Sequence, residues 1–439
     1  MSRALALFGG EPIVANREHR SWPVVGEVER ANVMRVLDRG VLSGAFSPEA
    51  TAFEAELARF VGAKHALLTH CGTSALQLAL AAAGVGPGDE VVVPAYSFVA
   101  TPLSVALEGA VPVFADVDLE TGCLDPRAAA AAISPRTRAI MPVHMHGGAA
   151  DLGALLELAK SRNVALVEDA AQAHGATFAG KPVGALGLAG GFSMQSSKNL
   201  SAGEGGVFVT NDDAAAELAH RVRNFGQDVP LLGASGYDPA RPLDGTRALV
   251  STRMGSMYRG NEMMAAFARA QLERLPELTR ACQRNAERLS RALGELPGVL
   301  PPKTPEGRTS VFHKYRVRFD PERAGVSISA RALRDVMIEA LRAEGLEVVM
   351  WQNAPLPAQP VFQASAKRWA LEGGVELAAN YEPSRYGNTQ KILDGSVVLF
   401  SQTCPLIAQS SELVDRYAEA FARVWAERRT LEARAREAG

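Results

Sequence analysis

The chain has 439 residues, 47% of them hydrophobic and 21% charged, which is the balance of a folded protein and not of a disordered one. Its 46 basic and 48 acidic residues leave a formal charge of −2, which argues against bulk attraction to nucleic acid or to an anionic membrane. At about 150 residues per domain the length suits two to three domains.

The N-terminal MSRALALFGGEPIV has too short an apolar stretch for a signal peptide. The longest low-polarity stretch, 75–86, contains Gln77 and is too short for a bilayer. Short apolar runs then alternate with Ala/Leu-rich helical stretches. Strands are predicted at His65–Thr69, 90–93, Val111–Ala115, 138–143, 164–168, 191–194 and Gly206–Thr210. Several are β-branched and apolar on both faces, as strands of a buried, mostly parallel sheet are. Helices are predicted at 74–83, 125–133 and Leu152–Arg162, so the fold class is α/β with helices on both faces of the sheet. From Asn261 the texture changes. Residues 261–296 read as one long helix or a helix pair, with Pro276 as a kink. A strand at 312–319 and an amphipathic helix at 331–344 follow. Residues 411–433 read as a closing helix with Leu413, Tyr417, Phe421 and Val424 on one face. The expected division is an N-terminal arm (1–24), a large domain (25–260) and a smaller α+β domain (261–439). Segments 226–252 and 351–395, rich in Pro, Gly and polar residues, read as long loops. Cys71, Cys123, Cys282 and Cys404 lie far apart without a CxxC pair, so no metal site is expected and a reducing cytoplasm suits the chain.

Three stretches carry chemistry. In His70-Cys71-Gly72-Thr73-Ser74 a strand ends and a helix begins. Gly72, Thr73 and Ser74 there offer a phosphate cradle, or simple helix capping. In Glu168-Asp169-Ala170-Ala171-Gln172-Ala173-His174 an acidic pair closes an apolar strand, at the sheet edge where α/β folds bind ligands. Asp169 either holds a cationic ring nitrogen or caps a following helix. In Phe192-Ser193-Met194-Gln195-Ser196-Ser197-Lys198-Asn199 a single lysine sits among small, hydrogen-bonding residues. A lysine desolvated in such a turn loses pKa and becomes nucleophilic. Cradle, acid and lysine, in that order, specify pyridoxal phosphate: an anchored phosphate, a protonated ring nitrogen and a Schiff-base amine.

The motifs VPAYSFVAT, FADVD, PVHMHG, VEDAAQAHGA, SSKNLSAGEGG and AQLERL resemble those of the DegT/StrS-type aminotransferases, in the aspartate-aminotransferase (fold-type I) superfamily. The match runs in register from about Gly9 to Arg318 and more loosely beyond. The resemblance implies a large domain with a mostly parallel seven-stranded sheet, and a homodimer with its active site at the subunit interface. It implies transfer of an amino group from glutamate or glutamine to a keto-sugar, keto-cyclitol or related small keto acceptor, in antibiotic or polysaccharide biosynthesis. On this resemblance Lys198 is the Schiff-base lysine and proton shuttle, and Asp169 is the ring-nitrogen partner. Gln172 reaches the phenolic oxygen of the cofactor, and Phe98 stacks on the ring, though an apolar residue after a strand also suits plain core. Gly72, Thr73, Ser193 and Ser74 hold the phosphate, while Tyr258, Arg259, His313 and Trp351 face the substrate. His174 stands between a supporting place behind the site and a core histidine. His144 and His146 read as buried structural histidines.

Three departures from the family pattern stand out. Met257 replaces an Asn that reaches the partner subunit's cofactor phosphate; Asn261 or Arg259 are the substitutes at hand. Trp351-Gln352-Asn353-Ala354-Pro355-Leu356-Pro357 changes the substrate wall. The stretch 362–395 is extended. Together they favour a cyclitol or an aminohydroxybenzoate-type precursor over a nucleotide sugar. Two alternatives are a lyase or dehydratase of the same fold, and a non-catalytic regulator. The family's dehydratases carry His where Lys198 stands, and a regulator would be expected to have lost Lys198 or Asp169 and gained a basic DNA-binding segment before Gly9.

Overall fold

Two sheets organise the chain. The computed structural model describes residues 4–43, 47–227, 250–364 and 380–438. The strands in chain order are β1 His65–Thr69, β2 Glu90–Pro94, β3 Val111–Ala115, β4 Thr137–Ile140 and β5 Ala165–Asp169. A short pair follows, β6 Thr177–Phe178 and β7 Lys181–Pro182. Next come β8 Ala189–Ser193, β9 Gly206–Thr210, β10 Val299–Leu300, β11 Tyr315–Phe319, β12 Val348–Val349 and β13 Ser396–Leu399.

The first sheet has seven strands in the order β1-β9-β8-β5-β4-β2-β3. Only β9 runs against its neighbours; β8, β5, β4, β2 and β3 pair in parallel. The expected mostly parallel seven-stranded sheet is therefore present. β2 (EVVVP) and β3 (VPVFA) are buried along their whole length, which is why their apolar residues do not alternate with polar ones. The helix Gly72–Ala82 lies directly on β8. A Cβ at Gly191 would sit 2.9 Å from the Leu76 side chain and 3.1 Å from its backbone nitrogen, so glycine is what permits that approach. The helix Leu152–Arg162 starts where Asp151 Oδ1 accepts from the Ala154 N–H and ends at Asn163, in the left-handed conformation.

The second sheet is antiparallel, ordered β10-β11-β13-β12. It packs under the helices Ala330–Ala343 and Ser411–Ala426. Phe319 stacks on Trp425 (centroids 5.5 Å, 16°) and Phe400 on Tyr417 (4.4 Å, 11°). Residues 4–24 lie across this unit: the Val14 N–H donates to the Glu344 carbonyl at 3.0 Å and the Ala6 N–H to the Glu344 carboxylate at 2.9 Å.

Several local expectations are corrected. Of the two readings offered for 261–296 the single long helix holds, as one 33-residue helix Glu262–Gly294, which Asn261 caps by accepting from the Met264 N–H at 2.9 Å. The closing helix is two, Ser411–Ala426 and Arg428–Ala438. The first ends at Glu427, whose N–H donates to the Val424 carbonyl at 3.1 Å, and the second buries Leu431. The strand at 312–319 begins only at Tyr315, because Phe312 holds a positive φ of 46°. Segment 351–395 is no plain loop where described. Leu356, Phe362, Tyr381 and Tyr386 are buried, the last three with rings against Phe114, and Gly387–Gly395 is helical. Residues 228–249 and 365–379, which take in most of the 226–252 expectation and part of the extended stretch, lie outside the described residues. No helix among the described residues is long and apolar enough to cross a membrane.

Candidate active site

Because β1, β2, β5 and β8 all run one way, their C-terminal ends share one edge of the sheet. The three stretches singled out above meet there.

After β1, the helix Gly72–Ala82 begins with Cys71 at its cap. The N–H groups of Gly72 and Thr73 are the first of that helix, at its positive end, where no intrahelical acceptor exists. A Cβ at Gly72 would lie 2.6 Å from Ser193 Cβ, so only glycine lets the β1 and β8 ends close up. Ser193 therefore stands beside this helix start. The Ser74 hydroxyl is turned elsewhere, to His70 Nε2 at 3.0 Å and Cys71 Sγ at 3.1 Å.

Asp169 ends β5, buried to 4% exposure. No helix follows it, so it caps none; Oδ1 accepts from the Ala171 N–H at 3.1 Å in a tight turn. Oδ2 accepts from the Thr101 hydroxyl at 2.7 Å, and that hydroxyl is itself bonded to Ser97 at 2.8 Å. Burial pushes the Asp169 carboxyl up from its ordinary range, against the pull of Thr101, the Ala171 N–H and Lys198. Its neighbour Glu168 points the other way, into the structure. It accepts from the N–H groups of Gly184, Leu186 and Gly187, and from His144 Nε2 at 3.1 Å. Nδ1 of His144 accepts from the Ala150 N–H, so this ring is a buried structural link, as expected.

The turn after β8 fixes the backbone of Lys198 from three sides. Its N–H donates to the Gln195 carbonyl at 2.8 Å, and its carbonyl accepts from Trp22 Nε1 at 2.9 Å. The next residue, Asn199, donates to the Val311 carbonyl at 2.8 Å. The amine itself has no hydrogen bond or ion pair among the described residues. Burial pushes it down to about 8, and the Asp169 charge partly restores it. Around it stand buried imidazoles. His174 has no partner on either ring nitrogen, so it is not a satisfied core histidine. Burial and the Lys198 charge hold it down to about 3, and His313 is held well below its ordinary value for the same reasons.

Gln172 is buried. Its oxygen accepts from the His146 N–H at 3.0 Å and its nitrogen has only Met145 Sδ at 3.9 Å. Phe98 is 56% exposed, so it is no core residue. Trp351 packs edge-on against Tyr96 (5.3 Å) and His146 (5.1 Å), and the Tyr96 hydroxyl is 2.9 Å from His146 Nε2. Tyr258 leans on His70, with ring centroids 5.8 Å apart. Arg259 Nη1 donates to Asn224 Oδ1 at 2.6 Å. The Asn261 oxygen is taken by its own helix cap, and Met257 is 39% exposed.

Sequence reading missed Thr101, Tyr96 and Trp22. Thr101 sits in the quoted SFVAT motif, and a hydroxyl one helical turn after an exposed aromatic was the available signal. Nothing local marks Trp22, which is 176 residues from Lys198 in the chain.

Residues 23–379 match the model of the DegT/DnrJ/EryC1/StrS aminotransferase family. The putative L-glutamine:3-amino-2,3-dideoxy-scyllo-inosose aminotransferase of Streptoalloteichus tenebrarius is 38% identical over 84% of this chain and 86% of its own. The L-glutamine:scyllo-inosose aminotransferase of Streptomyces griseus is 36% identical over 97% of this chain and 98% of its own. Among solved structures, 3-amino-5-hydroxybenzoic acid synthase aligns with a TM-score of 0.79 at 33% identity, over 94% of this chain and all of that one.

Proposed function

Since this chain belongs to the DegT/DnrJ/EryC1/StrS aminotransferase family, we propose that it moves an amino group from glutamine or glutamate to a carbocyclic keto acceptor of the inosose kind. The observation that carries the reading is the half-buried Lys198, whose amine has no partner among the described residues, at the edge of the sheet that also holds Asp169 and the Gly72 helix start. The family depends on pyridoxal phosphate, and the chain's donor set fits that group. Two backbone N–H groups at a positive helix end, with Thr73 and Ser193 beside them, suit a phosphate. A buried carboxylate with its own supporting hydroxyl suits a protonated ring nitrogen. The Gln172 amide, with only a sulfur partner, has a donor to spare for a phenolic oxygen. When bound, the cofactor supplies an electron-poor ring that takes up the electrons of the donor's broken C–H bond.

With the cofactor bound, Lys198 Nζ would take the proton from the donor's α-carbon and return one on the other side of the transferred nitrogen. Its depressed pKa lets it act as a base near neutral pH. Asp169 keeps the ring nitrogen's proton in place throughout, and Thr101 holds Asp169. Trp22 and Asn199 keep the lysine turn still, and the neutral rings of His174 and His313 add no competing positive charge. The exposed ring of Phe98 would cover the cofactor. Trp351, packed edge-on against Tyr96, walls the acceptor, and Tyr258 and Arg259 face the substrate. Met34, Leu37 and Leu42 are exposed apolar residues on and just after the helix Glu27–Arg39, and this supports a homodimer in which a second copy covers them. The scattered free cysteines suit a reducing cytoplasm.

The test is spectroscopic. The purified protein is expected to be yellow and to bleach with L-glutamine or L-glutamate, and inosose is expected to restore the colour. Lys198→Ala is expected to lose both colour and turnover while remaining folded. Transamination by Lys198→Ala would refute the lysine's role, and colour that no amino donor bleaches would favour the lyase reading.

A further inference from the structure

Between the turn 118–123, the stretch 302–310 and the start of β11 lies a cavity of about 30 Å³. Its wall includes His146, Ser310, Lys314 and Arg316. Lys314 and Arg316 are each only 6% exposed. The Lys314 amine makes no hydrogen bond or ion pair among the described residues. Arg316 donates once, to the Glu120 carbonyl at 3.0 Å, while its Nε and the Nδ1 of His146 have no partner. The other cations of this wall are neutralised: Lys303 pairs with Glu120 at 2.5 Å and Arg308 with Asp151 at 2.7 Å. Asp118 acts on Arg316 from nearby, but its Oδ1 is taken by the Glu120 and Thr121 N–H groups and the Thr121 hydroxyl. Two buried cations thus lack a carboxylate of the chain's own. Burying an ion without a partner costs several kcal/mol, so such a pair persists where an anion completes it.

The cavity also borders the proposed active site: His146 on its wall donates its N–H to Gln172 Oε1 at 3.0 Å, and its carbonyl accepts from the Lys314 N–H at 3.3 Å. The Lys198 charge acts on Lys314, on His146 and on His313. The cavity has room for ordered water or a small anion.

We propose that Lys314 and Arg316 bind the α-carboxylate of the amino donor, with His146 and Ser310 as the neutral part of the same subsite. This rests on the aminotransferase reading above and deepens it. Glutamine has one carboxylate and an inosose has none, so the subsite serves the first half-reaction and not the second.

The experiment compares wild-type holoenzyme with Lys314→Met, which keeps the apolar stem, and with Lys314→Gln. Steady-state kinetics should show the KM for L-glutamine raised at least tenfold in both variants, and the KM for the inosose acceptor raised less than twofold. Thermal melting should be unchanged or higher in Lys314→Met, because an unpaired buried charge has gone. A purely structural lysine would instead lower it. Equal donor KM values, or an equal rise for donor and acceptor, would overturn the proposal. Calorimetry with glutaramate, which is glutamine without its amine, separates this claim from the reaction itself. Binding that is lost in Lys314→Met supports the subsite even if no donor bleaches the wild type, and retained binding overturns it. A titration with inorganic phosphate in place of glutaramate identifies the anion: loss of phosphate binding alone would reject the donor carboxylate.

Discussion

Reductive methylation of the cofactor-free protein reads the Lys198 amine directly, since only the neutral amine attacks formaldehyde. With the amine held at about 8, roughly 9% of it is neutral at pH 7, against roughly 0.03% for a lysine at its ordinary 10.5. The ratio is about 300-fold, from two and a half pH units. The assay is mass spectrometry of the peptide carrying Lys198 after short exposures across pH 6 to 11. The expected midpoint lies near 8. Asp169→Asn sharpens the test, because the Asp169 charge is what pulls the lysine up against burial. Its loss should move the midpoint lower still and speed labelling at pH 7. A midpoint near that of an ordinary exposed lysine, or an upward shift in Asp169→Asn, would refute the claim that burial activates this amine. Lys314, also held at about 8, is resolved by its separate peptide.

Thr101→Val removes a 2.7 Å bond to a buried carboxylate, worth about 1.5–3 kcal/mol, and should weaken cofactor retention by roughly ten- to a hundredfold. Equilibrium dialysis followed at the visible band measures this, and unchanged retention would remove Thr101 from the site. Gly72→Ala forces a methyl against Ser193 and should cost about 1–3 kcal/mol. Its melting temperature should fall, and added cofactor should no longer raise it; a variant stabilised by cofactor as well as wild type would dismiss the cradle. For Glu168, burial raises the carboxyl, but His144 and the Gly187 and Gly184 N–H groups outweigh it, so the folded value lies below the ordinary 4.5. A depressed carboxyl stabilises fully above 4.5 and loses that contribution as pH falls through its folded value. Glu168→Gln, whose amide must face N–H donors, should therefore lose most stability at neutral pH, by about 1–3 kcal/mol, with the gap to wild type narrowing in acid. Urea midpoints at pH 7 and pH 4 check it, and a gap that widens in acid would contradict the assignment.

The strands were legible because a parallel sheet buried on both faces demands unbroken apolar runs, and HALLT, VPVFA and GVFVT are such runs bounded by turn residues. The helix at 152–162 was legible for a similar reason: Asp151 and Asn163 are local start and stop signals. The long helix was ambiguous because Pro276 is a local breaker, and packing along its whole buried face overrode it. The split at Glu427 had no local sign; the backbone turns there, and Leu431 beyond it is buried in a core made by distant residues.

The same division runs through the site. Lys198, Asp169 and Gly72 declared themselves through side-chain chemistry and immediate neighbours, properties that belong to a segment of chain. What sequence could not decide is how charges and donors meet across the fold. Thr101 reaches Asp169 from 68 residues away, and Trp22 holds the Lys198 carbonyl from 176. How far a lysine is stripped of water, in part at 198 and almost wholly at 314, is a property of everything packed around it. Desolvation and hydrogen bonding act through space, so composition and spacing named the chemistry of this chain, and only its tertiary structure set the strength and the partners of each group.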